Sequence, residues 1–507
     1  MNPLGASASG ASAPRKFQNF IAGEWCDSIT GQTYENRNPA NWSDIVGLFP
    51  RSNKEDVDRA VKTARKAYQT WRLVPVPDRG RMFQRLGDLM VQHKEDIARE
   101  MTREMGKVLK ETMGDTQEAI DTAYFAFGES RRLWGRTVPS ELPNKTCFTF
   151  RMPIGVAGLI TPWNFPSAIP AWKSFPALLC GNTIVFKPAS DTPATAVRLV
   201  ELMLEAGIPP EAVNLLHGSG RAVGIPLVEH PDVDLISFTG SSDVGRDINA
   251  RAGAKLKRVS LELGGKNPQI VLDDADLDLA LEAVLWGAFG TTGQRCTATS
   301  RLIVQAGVHD KFVDMLVIAA NKLRCGDGLD PKTDVGPLVN EEQLKTVESY
   351  VKIGLEEGAK LVCGGEPDKS PQCANGWFHR PTIFIGVTPQ MRLAQEEIFG
   401  PVLSVIKVAD FDEAIRVANG VRYGLSSSIF TRDVNRAFRA MRDIEAGITY
   451  INGATIGAEC HLPFGGVKDT GNGHREGGWT VYDFFSDIKT VYVDFSGRLQ
   501  KAQIDNY

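Results

Sequence analysis

The sequence predicts an α/β protein: two successive α/β units with a small β element set apart from both. Three observations carry this. Short apolar runs rich in Val, Ile and Leu alternate with helical stretches from about residue 153 to 264. The same rhythm restarts at "QIVL" and runs on to "GITYIN". Two segments of strict apolar/polar alternation, "CFTFRM" and "TVYVDF", fit neither series. Each alternating series predicts a largely parallel sheet with helices on both faces.

In chain order, "MNPLGASASGASAPRKF" is rich in Ala, Ser, Gly and Pro and lacks the continuous apolar core of a secretory signal, so residues 1–16 read as a flexible arm. "EDVDRAVKTARKAYQTW" spaces Val57, Val61, Ala64, Tyr68 and Trp71 along one helical face, and helical segments continue to about Leu133. "TVPSELPNKTCFTFRM" places turn chemistry before an alternating strand, which predicts a hairpin standing out of the body. The first α/β series has strands at "PIGVAGLI", "NTIVFK", "AVNLLHG", "DLISFTG" and "RVSLEL", with helices at "PATAVRLVELMLEAG" and "SDVGRDINARAG". The second has "QIVL", "SRLIVQ", "VLSVIKVA", "LSSSIFT" and "GITYIN". The tail strand near 490–495 is expected to pair with the hairpin, and an oligomer contact is the natural use of both. The expected division is an arm at 1–16, a first unit at 17–132 and 154–264, a second at 265–484, and a hairpin and tail at 133–153 and 485–507.

Composition narrows the function. With 507 residues, 42% apolar and 23% charged, the chain is long enough for two or three domains. A net charge of -4 supplies no basic field, so nucleic acid is excluded as a partner. "PIGVAGLITPWNFPSAIPAW" is interrupted by four prolines and an asparagine, so no membrane span is expected. The cysteines at 26, 147, 180, 296, 325, 363, 373 and 460 form no CxxC pair and no framework, which fits a reducing cytoplasm. The seven histidines include no HExxH and no catalytic Cys-His signature, and no metal site is expected.

Several segments carry chemistry. "FTGSSDVG" puts Gly240 at the end of a strand and Gly245 in the start of a helix, where phosphate can approach backbone amides; "HGSGRAVG" places Gly218, Gly220 and Gly224 similarly. Neither is the GxGxxG fingerprint, and glycine at such turns also has purely conformational uses. Lys187 ends an apolar strand at the edge where open α/β sheets bind ligands; it is either a ribose or phosphate contact or a solvated strand end. Asn164 in "LITPWNFP" is either an oxyanion donor or a turn residue beside proline. Glu262 in "LELGGKNP" closes a strand; desolvated, it has the raised pKa of a general base, and otherwise it is a partnered buried glutamate. Cys296 in "GTTGQRCTATSRL" stands among small residues beside Arg295, a cation that favours the thiolate.

Taken together, "TPWNFP", "FKPAS", "FTGS", "LELGGKNP", "GQRCTA", "EEIFGPV" and "PFGGVKDTGNG" stand in the order and spacing of the aldehyde dehydrogenase superfamily, which the chain resembles from about residue 17 to 495. The resemblance implies that the first unit is a Rossmann-like cofactor-binding domain, the second an α/β catalytic domain, and the hairpin and tail a small β oligomerisation domain of a homodimer or homotetramer. It implies that Cys296 attacks an aldehyde, that the Asn164 amide and the Cys296 backbone N–H hold the oxyanion, that hydride passes to nicotinamide, and that Glu262 activates the water that hydrolyses the thioester. Lys173 matches a lysine near that glutamate with a relay role. Trp163, Lys187, Gly220, Gly240, Ser241 and Gly245 match adenosine and pyrophosphate contacts, and Glu397 and Phe399 match ribose and nicotinamide contacts. Ser190 departs from the glutamate common in strictly NAD-using members, which removes a repulsion toward a 2'-phosphate and implies use of NAD or NADP. Thr470 replaces a usual serine, and His474 leaves the nearby alignment uncertain by one residue, so Glu476 is not assigned a role.

The substrate passage implied by the resemblance is lined by Phe165, Trp172, Arg295, Thr297 and the loop "GATIGAECH". Arg295 beside the nucleophile can pair with the far carboxylate of a small acidic semialdehyde, or it binds a local carbonyl or acid and never meets substrate. "GAECHLPFGG" resembles loops of branches acting on aminoadipic or 2-oxoglutaric semialdehydes, although Glu459 there repels an acid. A broad aliphatic or aromatic aldehyde is the alternative substrate. Presence of Glu262 argues against a coenzyme A acylating relative, presence of Cys296, Asn164 and Glu262 against a silent scaffold, and absence of a histidine base against a cysteine hydrolase.

Overall fold

A computed structural model describes residues 13–504. The expected arm lies outside the described residues up to position 12. At its end, Lys16 forms a β-bridge to Leu48 and Arg15 stacks on Phe17 at 4.3 Å, so these two residues of the expected arm are tied to the body.

The first sheet has seven strands in the order Arg258–Glu262, Leu235–Thr239, Val156–Ile160, Thr183–Lys187, Val213–Leu215, Asn19–Ile21 and Glu24–Cys26. The five strands read from the sequence are mutually parallel. Successive residues face opposite sides: Ile184 and Phe186 pack with Phe175 and Leu202, whereas Val185 packs with Val57 and Ile236. Burial on both sides is why these strands read as unbroken apolar runs. Asn19–Ile21 and the edge strand Glu24–Cys26 beyond it are additions of three residues joined antiparallel, too short and mixed to show a period of two.

The second sheet also has seven strands, in the order Lys360–Cys363, Thr382–Ile385, Val402–Val408, Thr299–Gln305, Asn267–Val271, Ser426–Phe430 and Ile448–Ile451. Its five central and distal strands are the sequence-predicted ones; the first two are additional, with Lys360–Cys363 antiparallel. Ile270 and Ile303 face one apolar layer, and Val271, Leu302 and Val304 the other. A third, three-stranded sheet joins Thr137–Pro139, Lys145–Pro153 and the tail strand Ser486–Asp494, whose register runs without a break from Ser486↔Pro153 to Asp494↔Lys145.

In the first sheet the chain fills the centre with Val156–Ile160, then builds outward on one side and returns to build on the other. The crevice between the carboxyl ends of Val156–Ile160 and Leu235–Thr239 is therefore a topological switch point, the usual ligand position of an open α/β sheet. Among the described residues, no helix is long and apolar enough to cross a membrane.

Candidate active site

Four strand ends of the first sheet deliver predicted residues to one edge. Trp163 and Asn164 follow Val156–Ile160, Lys187 ends its strand, Gly240 and Ser241 follow Leu235–Thr239, and Glu262 ends the outer strand. The helix Ser242–Gly253 starts at the same edge, with Ser241 at its N-cap. Thr161, Thr239 and Ser242 turn buried hydroxyls toward no partner among the described residues. Lys187 is buried with its Nζ donating only to the Pro188 carbonyl at 2.7 Å, and burial pushes its amine down to about 8. Space opposite Gly220 is open. Unsatisfied donors, a buried cation and a helix N-terminus around one crevice fit a dinucleotide.

The glycines divide by role. A Cβ on Gly245 would stand 2.4 Å from Leu263 Cδ2, and one on Gly240 would stand 2.5 Å from the Phe238 ring. Close packing, not a positive φ, is what calls for glycine at both positions. Ser190 donates to the Gly218 carbonyl at 3.2 Å, and its neighbour Asp191 accepts from Asn340 at 2.9 Å. Across the crevice, Glu397 accepts from the Gly265 N–H at 3.0 Å, and a Cβ on Gly264 would lie 2.1 Å from its Oε2. Burial pushes Glu397 up to about 7. Phe399, in left-handed backbone (φ 58°), sets its ring edge-on to Trp163 at 5.3 Å.

Cys296 sits on a loop of the second unit that is pinned, not loose. Thr291 and Thr292 both take positive φ, 53° and 58°, which is costly for β-branched residues. The strain is held by Glu111, which accepts from the Thr291 N–H at 2.8 and 3.0 Å, and by Thr292 Oγ1 donating to the Gly336 carbonyl. Gln294 ties the loop to Val339, and Asn267 Nδ2 donates to the Cys296 and Ala298 carbonyls at 2.8 and 2.9 Å. Asn164 Nδ2 donates to the Gln294 carbonyl at 3.1 Å, which joins the strand-end loop of the first sheet to the Cys296 loop and leaves the second amide hydrogen for another acceptor.

The expectation that Arg295 favours the thiolate is corrected by this geometry. Its Nε donates to Thr291 Oγ1 at 2.8 Å and its Nη2 pairs with Glu111 at 3.1 Å. Burial and, after it, the Glu262 and Glu397 carboxyls push the Cys296 thiol up to about 12. The free thiol therefore needs a base.

Glu262 is buried, and both its carboxyl oxygens lack a partner among the described residues. Burial raises it well above the usual carboxylate range, the nearby Glu476 raises it further, and Lys173 and Arg475 pull it back. Glu476, which the sequence left unassigned, forms a fully buried ion pair with Lys173; Lys173 Nζ also donates to Ser237 Oγ at 2.9 Å. The uncertain register around His474 hid this glutamate, and only the fold brings residues 173, 237, 262 and 476 together.

Two walls flank Cys296. One is apolar: Trp172, Leu425 and Phe464, with Cys296, Ile448 and Ala458 packed against them, the Trp172 and Phe464 rings 5.0 Å apart. Thr297 is tied into this region through its carbonyl, which accepts from Thr455 Oγ1 at 2.7 Å. The other wall is charged. Phe165 lies under Lys107 at 4.1 Å and Arg295 at 5.3 Å, and the two cations pair with Asp115 and Glu111 of the helix Leu109–Glu129. That helix also supplies Glu118, which accepts from Trp172 Nε1 at 3.1 Å. No sequence signal marked Glu111, Asp115 or Glu118, because their helix reads as an ordinary amphipathic segment. Among the described residues, no group of three or more His, Cys, Asp or Glu is placed to hold a metal ion.

Comparison with known proteins matches residues 25–491 to the model of the aldehyde dehydrogenase family. The chain belongs to that family. It is 45% identical over 477 residues to the alpha-ketoglutaric semialdehyde dehydrogenase of Bacillus subtilis (strain 168), covering 94% of this chain and 98% of the relative. It is 44% identical over 479 residues to the alpha-ketoglutarate semialdehyde dehydrogenase of Haloferax volcanii, covering 94% and 99%. Among solved structures, the betaine aldehyde dehydrogenase of Staphylococcus aureus in complex with NAD+ superposes with a TM-score of 0.93 at 34% identity, covering 95% of this chain and 96% of that one. The shared aldehyde dehydrogenase fold is mixed α/β, as the sequence predicts.

Proposed function

We propose that this aldehyde dehydrogenase oxidises a small acid-ended aldehyde to the dicarboxylic acid, with NAD+ or NADP+ as oxidant and Cys296 as nucleophile. The supporting observation is the meeting of Cys296, the buried and unpartnered Glu262, and an Asn164 amide with one hydrogen still to give. The semialdehyde substrates named for two relatives at 45% and 44% identity, and a guanidinium beside the nucleophile, support the acid end. NAD+ in the Staphylococcus aureus relative and the buried donors of the crevice support the cofactor, and Ser190 supports tolerance of NADP.

The reaction follows from these residues. The Cys296 sulfur bonds to the aldehyde carbon as its proton passes to the Glu262 carboxylate, and the new oxyanion accepts from Asn164 Nδ2 and the Cys296 N–H. A nicotinamide held beside Phe399 and Glu397 would supply the hydride acceptor, and loss of hydride from that carbon leaves a thioester on Cys296. Glu262 then takes a proton from water, the water oxygen bonds to the acyl carbon, the C–S bond breaks, and the acid leaves with the thiol restored. Lys173, Glu476 and Ser237 offer the proton on Glu262 a buried route away from the crevice. The rings of Trp172 and Phe464 keep bulk water off the thioester.

The exposed Val138, Phe150, Ile488, Tyr492 and Val493 of the three-stranded sheet support a homodimer or homotetramer built through it. Eight free cysteines suit a reducing compartment such as the cytoplasm.

The test is NAD(P)H formation on succinic, glutaric, 2-oxoglutaric and aminoadipic semialdehydes against neutral aldehydes of equal length, with Cys296→Ala as control. Turnover of acid-ended aldehydes lost in the control is expected; no turnover on any aldehyde overturns the reading. Arg295→Ala should raise KM for the acid-ended members selectively.

A further inference from the structure

Arg295 is not an idle cation awaiting a substrate carboxylate. Its side chain and that of Glu111 are each 11% exposed, and the two are paired at 3.1 Å on the charged wall. An acid-ended aldehyde reaching Cys296 must therefore compete with a carboxylate already in place. The geometry permits that exchange. Glu111 is held independently by the Thr291 N–H at 2.8 and 3.0 Å, so it stays bonded when the guanidinium leaves. Arg295 stays stacked on the Phe165 ring, and swinging its planar guanidinium from Glu111 to a substrate carboxylate costs the neutral Nε bond to Thr291 Oγ1. The neighbouring Lys107 has no such freedom, because it is fully buried on Asp115.

We infer that Glu111 is a specificity-determining residue that competes with the substrate for the Arg295 guanidinium and so limits the preference for an aldehyde with a carboxylate at its far end. The inference rests on the proposed acid-ended substrate and says how selectivity is set: a neutral aldehyde leaves the pair closed, and an acid-ended one replaces Glu111 as the partner of Nη2. Glu111 acts through Arg295 and does not touch the reacting atoms. Its charge also sets a ceiling, since the acid end must outbid it.

The test is the ratio of kcat/KM for an acid-ended aldehyde to that for a neutral aldehyde of equal length, with kcat and KM resolved. Glu111→Gln keeps an acceptor for the Thr291 N–H and removes the competing charge. The ratio should rise about five- to tenfold, carried by KM for the acid-ended substrate. A ratio within twofold of the parent protein overturns the inference. Arg295→Gln and the double variant Glu111→Gln/Arg295→Gln provide a second arm free of an unpaired Arg295. Left alone by Arg295→Gln, Glu111 should repel the acid end, so the double variant should recover acid-ended turnover several-fold; equal ratios in the two overturn the inference. The failures are distinguishable. If the parent protein shows no acid preference the proposed substrate falls, whereas a raised ratio in Glu111→Gln still establishes Glu111 as the brake on Arg295.

Discussion

At Cys296 the sequence presents a thiol beside an arginine, and the fold pairs that arginine with Glu111. With the thiol pushed up to about 12, the thiolate of the free protein is scarce at neutral pH. Alkylation of Cys296 by iodoacetamide, followed by peptide mass spectrometry, should accelerate about tenfold per pH unit between pH 7 and 9. A plateau in that range would contradict the raised pKa. Glu262→Gln should slow both the first turnover and the hydrolysis that follows, and lower steady-state turnover by about 10²- to 10⁴-fold, read by stopped-flow NAD(P)H formation. Asn164→Ala should slow acylation by about 10²- to 10³-fold, the cost of one oxyanion donor.

The helix Leu109–Glu129 does more for the site than its composition suggests. Glu111, Asp115 and Glu118 are four and three residues apart, so they share a face, and that face meets the charged wall and Trp172. Glu111 and Asp115 meet cations, whereas Glu118 meets only the Trp172 N–H. Burial, with Asp121, Asp115 and Glu459 nearby, pushes Glu118 up to about 7. Below pH 7 it is neutral and can donate to a substrate carboxylate; above, it is charged and repels one. KM for an acid-ended aldehyde should therefore rise from pH 6 to pH 8, and Glu118→Gln should flatten that rise while neutral aldehydes serve as the reference. The Gly264-Gly265 turn is a second element with a single function. Gly264→Ala drives a methyl into the Glu397 carboxyl, and kcat should fall on the order of 10- to 100-fold as the Glu397 side of the crevice is displaced.

Across the whole molecule, two α/β sheets carry the two halves of the chemistry, and contacts such as Asn164 to Gln294 hold them in register. The buried Lys107–Asp115 pair anchors the first half: Asp115 also accepts from the Ala168 N–H at 2.7 Å, fixing the start of the helix that carries Trp172 and Lys173. Asp115→Asn sets an amide donor against a buried ammonium and should cost about 3–5 kcal/mol in chemical denaturation. On the third sheet, Ile488→Asp with Tyr492→Asp places charge on the exposed apolar face and should reduce the mass measured by light scattering to that of the monomer.

What the sequence determined by itself was whatever local pattern can encode. Parallel strands buried on both faces leave unbroken apolar runs, so ten strands, the helices between them and the alternating hairpin and tail could all be read directly. Strand ends locate the functional edge of an α/β sheet, so Asn164, Lys187, Gly240, Glu262 and Cys296 were legible as candidates, and their ordered motifs named the family. The tertiary structure decided which charges face one another. Arg295 meets Glu111 across 184 positions, and Lys173 meets Glu476 across 303. Such pairs leave no periodic trace, because an ion pair depends on where two side chains converge and not on the residues beside them. Short strands such as Asn19–Ile21 escaped for the same reason: three residues cannot display a period, and only the sheet they join makes them strands.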